Sequence, residues 1–118
     1  MIAPIDESRL ARLADDLDGD LEACGRAARE FSGAWEGRIT LVRDAIGASA
    51  EGRASAALLS ISTTGRMLGA EVLAAAADRA RGLLALGALT APVVDELDRL
   101  GRVSLGGLEA ALLRLRAA

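Results

Sequence analysis

The sequence predicts an all-α protein, an antiparallel four-helix bundle with a short additional N-terminal helix. Three observations carry that expectation. No segment shows the clean period-two alternation of a half-buried strand. Apolar residues recur instead at steps of three and four along nearly the whole chain. The breaks between these periodic segments are short, which favours antiparallel neighbours.

Taken in order, Ile5, Leu10, Leu13 and Leu17 mark a short amphipathic helix. Pro4 disfavours an earlier start, so Asp6 is the expected cap. "DGD" at 18–20 reads as a break, with Asp20 capping the next helix. That second helix is the clearest: Leu21, Cys24, Ala28, Phe31, Trp35, Ile39, Val42 and Ile46 form one stripe. Gly47 ends that pattern, and a third helix is expected from Ser49 or Ala50. Its stripe is Ala54, Leu58, Ile61, Gly65 and Leu68. Burying Leu58 and Ile61 should contribute ~1.5–3 kcal/mol each. Leu59 stands about 100° further round, at the edge of the stripe, with Ser55, Ser62, Thr63 and Arg66 around it.

A break at Gly69 leads to a fourth helix, Ala70 to Leu86, with Leu73, Ala76 or Ala77, Ala80, Leu83 and Leu84 inward. "GALTAP" at 87–92 is the next turn, with Thr90 as cap and Pro92 in the first helical turn. The last helix uses Val93 or Val94, Leu97, Leu100, Ser104, Leu108, Leu112 and Leu115. Gly101, Gly106 and Gly107 are expected to weaken it, by roughly 1 kcal/mol each where exposed, through a kink or a frayed end.

Composition narrows the function classes. The chain has 118 residues, enough for one domain, and 52% are hydrophobic, enough for a core. Its net charge is −3 with no run of one sign, so nucleic acid and anionic membrane surfaces are not expected partners. All 14 basic residues are arginine, and there is no histidine. Cys24 is alone, so an internal disulfide or a cysteine zinc cluster is excluded, and a buried thiol is expected. The N-terminal residues lack a signal-peptide pattern, and the longest apolar stretch, Leu83 to Val94, falls short of the ~20 residues a bilayer needs. A cytoplasmic, soluble protein with no cofactor and no metal is expected.

The order of parts resembles the histidine-containing phosphotransfer (HPt) domain of bacterial phosphorelays. "RLARLADDLDGD" (9–20) is similar to that family's opening helix and turn, and Phe31 in "AAREFSGAW" to its second-helix aromatic. "MLGAEVLAAAADRARGL" (67–83) is similar to the segment after its active site. The resemblance spans essentially the whole chain and is most specific over 54–83. It implies an acceptor histidine on the third helix, a lysine three residues on, and then a glycine. Aligned on Leu68-Gly69-Ala70, those positions hold Leu59, Ser62 and Thr63. Leucine has no lone pair, serine no charge, and the chain holds no other histidine, so histidine phosphotransfer is excluded.

The resemblance therefore implies a non-catalytic pseudo-HPt protein that binds a receiver domain or a histidine kinase. The expected docking patch centres on Leu59, Ser62, Thr63 and Arg66, with Ser55 at one end and Arg38 and Leu41 added by the antiparallel second helix. Arg66 is placed to pair with carboxylates of a receiver, and a monomer is expected rather than a dimer. The competing reading is a helical bundle for another protein contact or for dimerisation. An enzyme of another kind finds no support: no base stands by the cysteine, and no nucleotide-binding loop is present.

Overall fold

A computed structural model describes residues 3–46 and 51–117. Gly47, Ser49 and Ala50, where the second helix should end and the third begin, lie outside the described residues. Among the described residues every regular element is an α-helix: α1 (Glu7–Asp16), α2 (Leu21–Asp44), α3 (Glu51–Met67), α4 (Glu71–Ala85) and α5 (Ala91–Ala117).

The expected caps form at Asp6 and Asp20, whereas Thr90 before α5 makes no side-chain capping bond among the described residues. The Asp6 carboxylate accepts from the Ser8 N–H at 3.0 Å and from its hydroxyl at 2.6 Å. The Asp20 carboxylate accepts from the Ala23 N–H at 3.0 Å, satisfying an amide the helix start would leave open. At the end of α3 the Ala70 N–H donates to the Gly65 carbonyl at 2.7 Å and the Gly69 N–H to the Arg66 carbonyl at 3.2 Å. That pair of bonds needs a left-handed residue between helix and exit, and Gly69 supplies it with φ +87. The Gly69 carbonyl in turn accepts from the Asp6 N–H at 2.7 Å, which ties the chain start to this corner.

Contacts across the helices fix their directions. Along α2 and α5, Gly25 faces Arg116, Trp35 faces Gly101, and Arg43 reaches Asp95, so the two run antiparallel. Along α3 and α4, Arg66 reaches Glu71 and Asp78 while Ser55 reaches Arg81, so these also run antiparallel. α2 packs against α3 and α5, and α4 packs against α3 and α5, which closes a four-helix ring. α1 lies against α2 and α3 at one end. Glu7 bonds Arg114 at 2.5 Å, and Arg9 faces Glu71 at 3.5 Å.

The core follows the predicted spacing, except that Leu17 is exposed at the end of α1 and Leu13, Leu21, Ile46, Leu83, Leu100 and Leu115 are only partly buried. Leu10, Cys24, Phe31, Trp35, Ile39, Val42, Leu58, Ile61, Leu68, Leu73, Leu97 and Leu108 are buried together. Of the paired alternatives, Ala77 and Val94 turn inward. Burial pushes the Cys24 thiol upward, as an inert buried cysteine requires. The expected frayed end in the last helix is not seen. α5 is one continuous helix of 27 residues, and two of its glycines face neighbours that need the space. A side chain at Gly101 would meet the Trp35 ring, and one at Gly107 would meet Pro4 and Ile5. No helix among the described residues is long and apolar enough to cross a membrane.

Candidate functional site

The outward face of α3 is set by its period. Successive residues turn by about 100°. With Leu58 and Ile61 fully buried, Gly52, Ala56, Leu59, Thr63 and Met67 share the opposite side, and all five are exposed. Leu59 is 45% exposed and Met67 50% exposed. This stripe carries no charge between Arg53 and Arg66. Its apolar members are spaced by small residues, so the backbone is open to close approach.

One edge of this face is held by α4. Ser55 accepts from the Arg81 Nε at 3.0 Å. The Ser62 hydroxyl donates to Asp78 Oδ1 at 2.5 Å and accepts from Arg66 Nη1 at 3.0 Å. Arg66 Nη2 donates to Asp78 Oδ2 at 2.9 Å, and its Nε lies 3.6 Å from Glu71. Ser55, Ser62 and Arg66 all face α4, and Leu59 stands on that same side, so α2 borders the other edge.

This placement corrects part of the expected patch. Ser62 is not on the open face: it is 2% exposed, because Asp78 offers its hydroxyl a partner that solvent would otherwise supply. Arg66 is occupied by Asp78 and Glu71 of its own chain, so it is not a free cation awaiting a carboxylate. Arg38 and Leu41 do not join Leu59. On α2, Trp35, Glu36 and Arg43 face α5, which puts Arg38 and Leu41 on the side toward α3, across from the α4 edge. Leu41 is 37% exposed there. The Arg38 guanidinium lies 5.9 Å from the centre of the Phe31 ring, and its Nη1 is buried without a hydrogen-bond partner. Leu59 and Thr63 stay on the open stripe as expected, and Ser55 is half-buried at one end.

The residues that sequence reasoning misses are Asp78, Arg81 and Met67. Met67 is legible: it stands four residues after Thr63 on the same face. Asp78 and Arg81 are not, because their partners come from a different helix and no local spacing links them.

The clasp has a pH signature. The Ser62 hydroxyl, and next the Arg66 guanidinium, hold the Asp78 carboxyl below its ordinary value of 3.8. The same carboxylate holds Arg66 above its ordinary value. A carboxyl lowered in the folded state adds stability above its unfolded value and loses it as pH falls through the folded value. Thermal midpoints of the wild type and Asp78→Asn should therefore differ at about pH 7 and converge as the pH falls below the ordinary carboxyl value of 3.8 and through the lowered folded value. A gap that stays constant down to acid pH would mean that the Asp78 charge does not stabilise the α3–α4 pairing.

Among the described residues no group of three or more His, Cys, Asp or Glu side chains could hold a metal ion. The chain matches no protein-family model, no curated protein and no solved structure.

Proposed function

We propose that this helical bundle is a cytoplasmic, non-catalytic pseudo-HPt protein of two-component signalling. It binds a receiver domain or a histidine kinase through the outward face of α3 and passes on no phosphoryl group. One observation carries the reading: at the position where the resembled family holds its acceptor histidine, Leu59 is nearly half exposed on an uncharged stripe. An exposed leucine among Ala56, Ser60 and Thr63 suits a protein contact better than it suits water. With no histidine in the chain, an incoming phosphoryl group meets no imidazole nitrogen. The face offers binding without transfer, which would shield a partner from its true phosphodonor or acceptor.

The supporting surface is the stripe Ala56, Leu59, Thr63 and Met67 with the α4 edge beside it. Arg38 and Leu41 lie on the other edge and are reached only by a partner broad enough to cross α3. The test is a titration of the chain against receiver domains of its own organism. Leu59→Arg should weaken binding at least about tenfold, since a central apolar anchor is exchanged for a charge. Leu59 is already open to solvent, so helix content should not change. Undiminished binding by Leu59→Arg would remove this face from the interaction. A tight dimer that Leu59→Arg disrupts would replace the proposal with self-association.

A further inference from the structure

The face between α2 and α5 carries a different arrangement. A hollow of about 300 Å³ lies between the first half of α2 and the last half of α5. Its floor is Ala28, Leu105, Leu108 and Leu112, with the Ser32 hydroxyl at its wall. Gly25 leaves an opening into which two arginines fold from opposite helices. A Cβ added there would lie 3.0 Å from Arg116 Nη2 and 3.3 Å from Arg29 Nη1. The two guanidinium groups thus converge on one point.

Two guanidinium groups brought to one opening repel each other modestly in water, and an anion placed between them would turn that repulsion into attraction. Arg9, Arg43, Arg66, Arg99, Arg102 and Arg114 each reach a carboxylate of this chain, and the other eight arginines do not among the described residues. Arg29 and Arg116 are two of those eight, and what sets them apart is that both guanidinium groups come to the same opening at Gly25, with Glu109 of the same hollow within ion-pair distance of neither. Guanidinium forks bind planar carboxylates through paired N–H donors. An apolar floor beneath a convergent pair of cations is the lining of a site for a ligand with a charged head and an apolar body.

We propose that this groove binds a small aliphatic carboxylate. Arg29 and Arg116 hold its head over Gly25, Ser32 can donate to it, and the tail lies on Leu105, Leu108 and Leu112. The site is on the far side of the bundle from α3, so it stands or falls independently of the docking reading.

The experiment titrates the whole chain with octanoate, octanol, acetate and inorganic phosphate, read by calorimetry and by backbone amide resonances. Octanoate should bind and move the amides of Gly25, Ser32 and Leu112. Octanol, acetate and phosphate should each bind at least about tenfold more weakly, because each lacks the head or the tail. Arg29→Gln with Arg116→Gln should reduce octanoate affinity by a similar factor, and both residues are exposed, so the fold should survive. Equal binding of octanol would leave only an apolar hollow. Equal binding of phosphate or acetate would leave only a bare anion site. No response to octanoate, or a response that both substitutions leave intact, would likewise overturn the assignment.

Discussion

Gly101→Ala should destabilise the fold by about 1–3 kcal/mol or more, while Gly106→Ala on the same helix should stabilise it by about 0.5–1 kcal/mol. The opposite signs come from what each methyl would meet. At Gly101 it would sit 2.0 Å from Trp35 Cζ2 and 2.3 Å from Cη2, well inside contact distance. The indole cannot step aside cheaply. It is 1% exposed, and its Nε1 donates to Asp98 Oδ1 at 2.8 Å. Phe31 stands edge-on to it at 6.2 Å between ring centres. At Gly106 nothing lies within 4 Å, so alanine only narrows the unfolded ensemble and improves helix propensity. Trp35→Ala should itself cost about 3–5 kcal/mol, the usual loss for a large buried aromatic. Combining it with Gly101→Ala should cost less than the two separate losses together, because the methyl then has room. Urea unfolding of the four variants measures all of this. Additive losses would mean that Gly101 is not shaped by Trp35.

Gly69→Ala should cost more than Gly87→Ala, and the difference isolates the docking of the N-terminal segment. Both glycines hold a positive φ, +87 and +67, so both variants carry the left-handed penalty of about 1–2 kcal/mol. Nothing lies within 4 Å of a Cβ at Gly87. At Gly69 the Cβ would meet the Asp6 carbonyl oxygen at 2.4 Å, a backbone atom held by the bond between the Asp6 N–H and the Gly69 carbonyl. The total at Gly69 should reach about 3 kcal/mol, with the excess arising from displacement of Asp6 and α1. Thermal unfolding of the two variants, with amide exchange of α1, provides the measurement. Equal losses with α1 protection unchanged would show that the corner does not depend on that contact.

These two sites also show how far local pattern reaches. Gly69 is readable as a helix stop because the periodicity ends there and glycine tolerates the exit geometry. That it also receives Asp6 is not readable, since the two residues are distant along the chain. Gly101 looks like a weakness in α5, and propensity alone says so. Its role is to leave room for an indole on α2. The Leu59 stripe is legible as a departure from the core period, and its exposure comes from the turn of the helix. The membership of the patch is only partly legible. Ser62 is polar and near Leu59 in sequence, yet it turns inward, because Asp78 on α4 is there to receive its hydroxyl.

The order of residues alone dictates the helices, their caps at Asp6 and Asp20, and most of the inward stripe of each, Leu17 being the exception. Those depend on interactions within a few residues and on one repeating angle. It also places no histidine anywhere in the chain. Packing in three dimensions settles the rest: which edge of α3 belongs to α4, which polar side chains are buried, and which glycines are spaces for a neighbour. A buried hydroxyl or a missing side chain is tolerable only when a specific group from another helix stands opposite, and no spacing along the chain specifies that group.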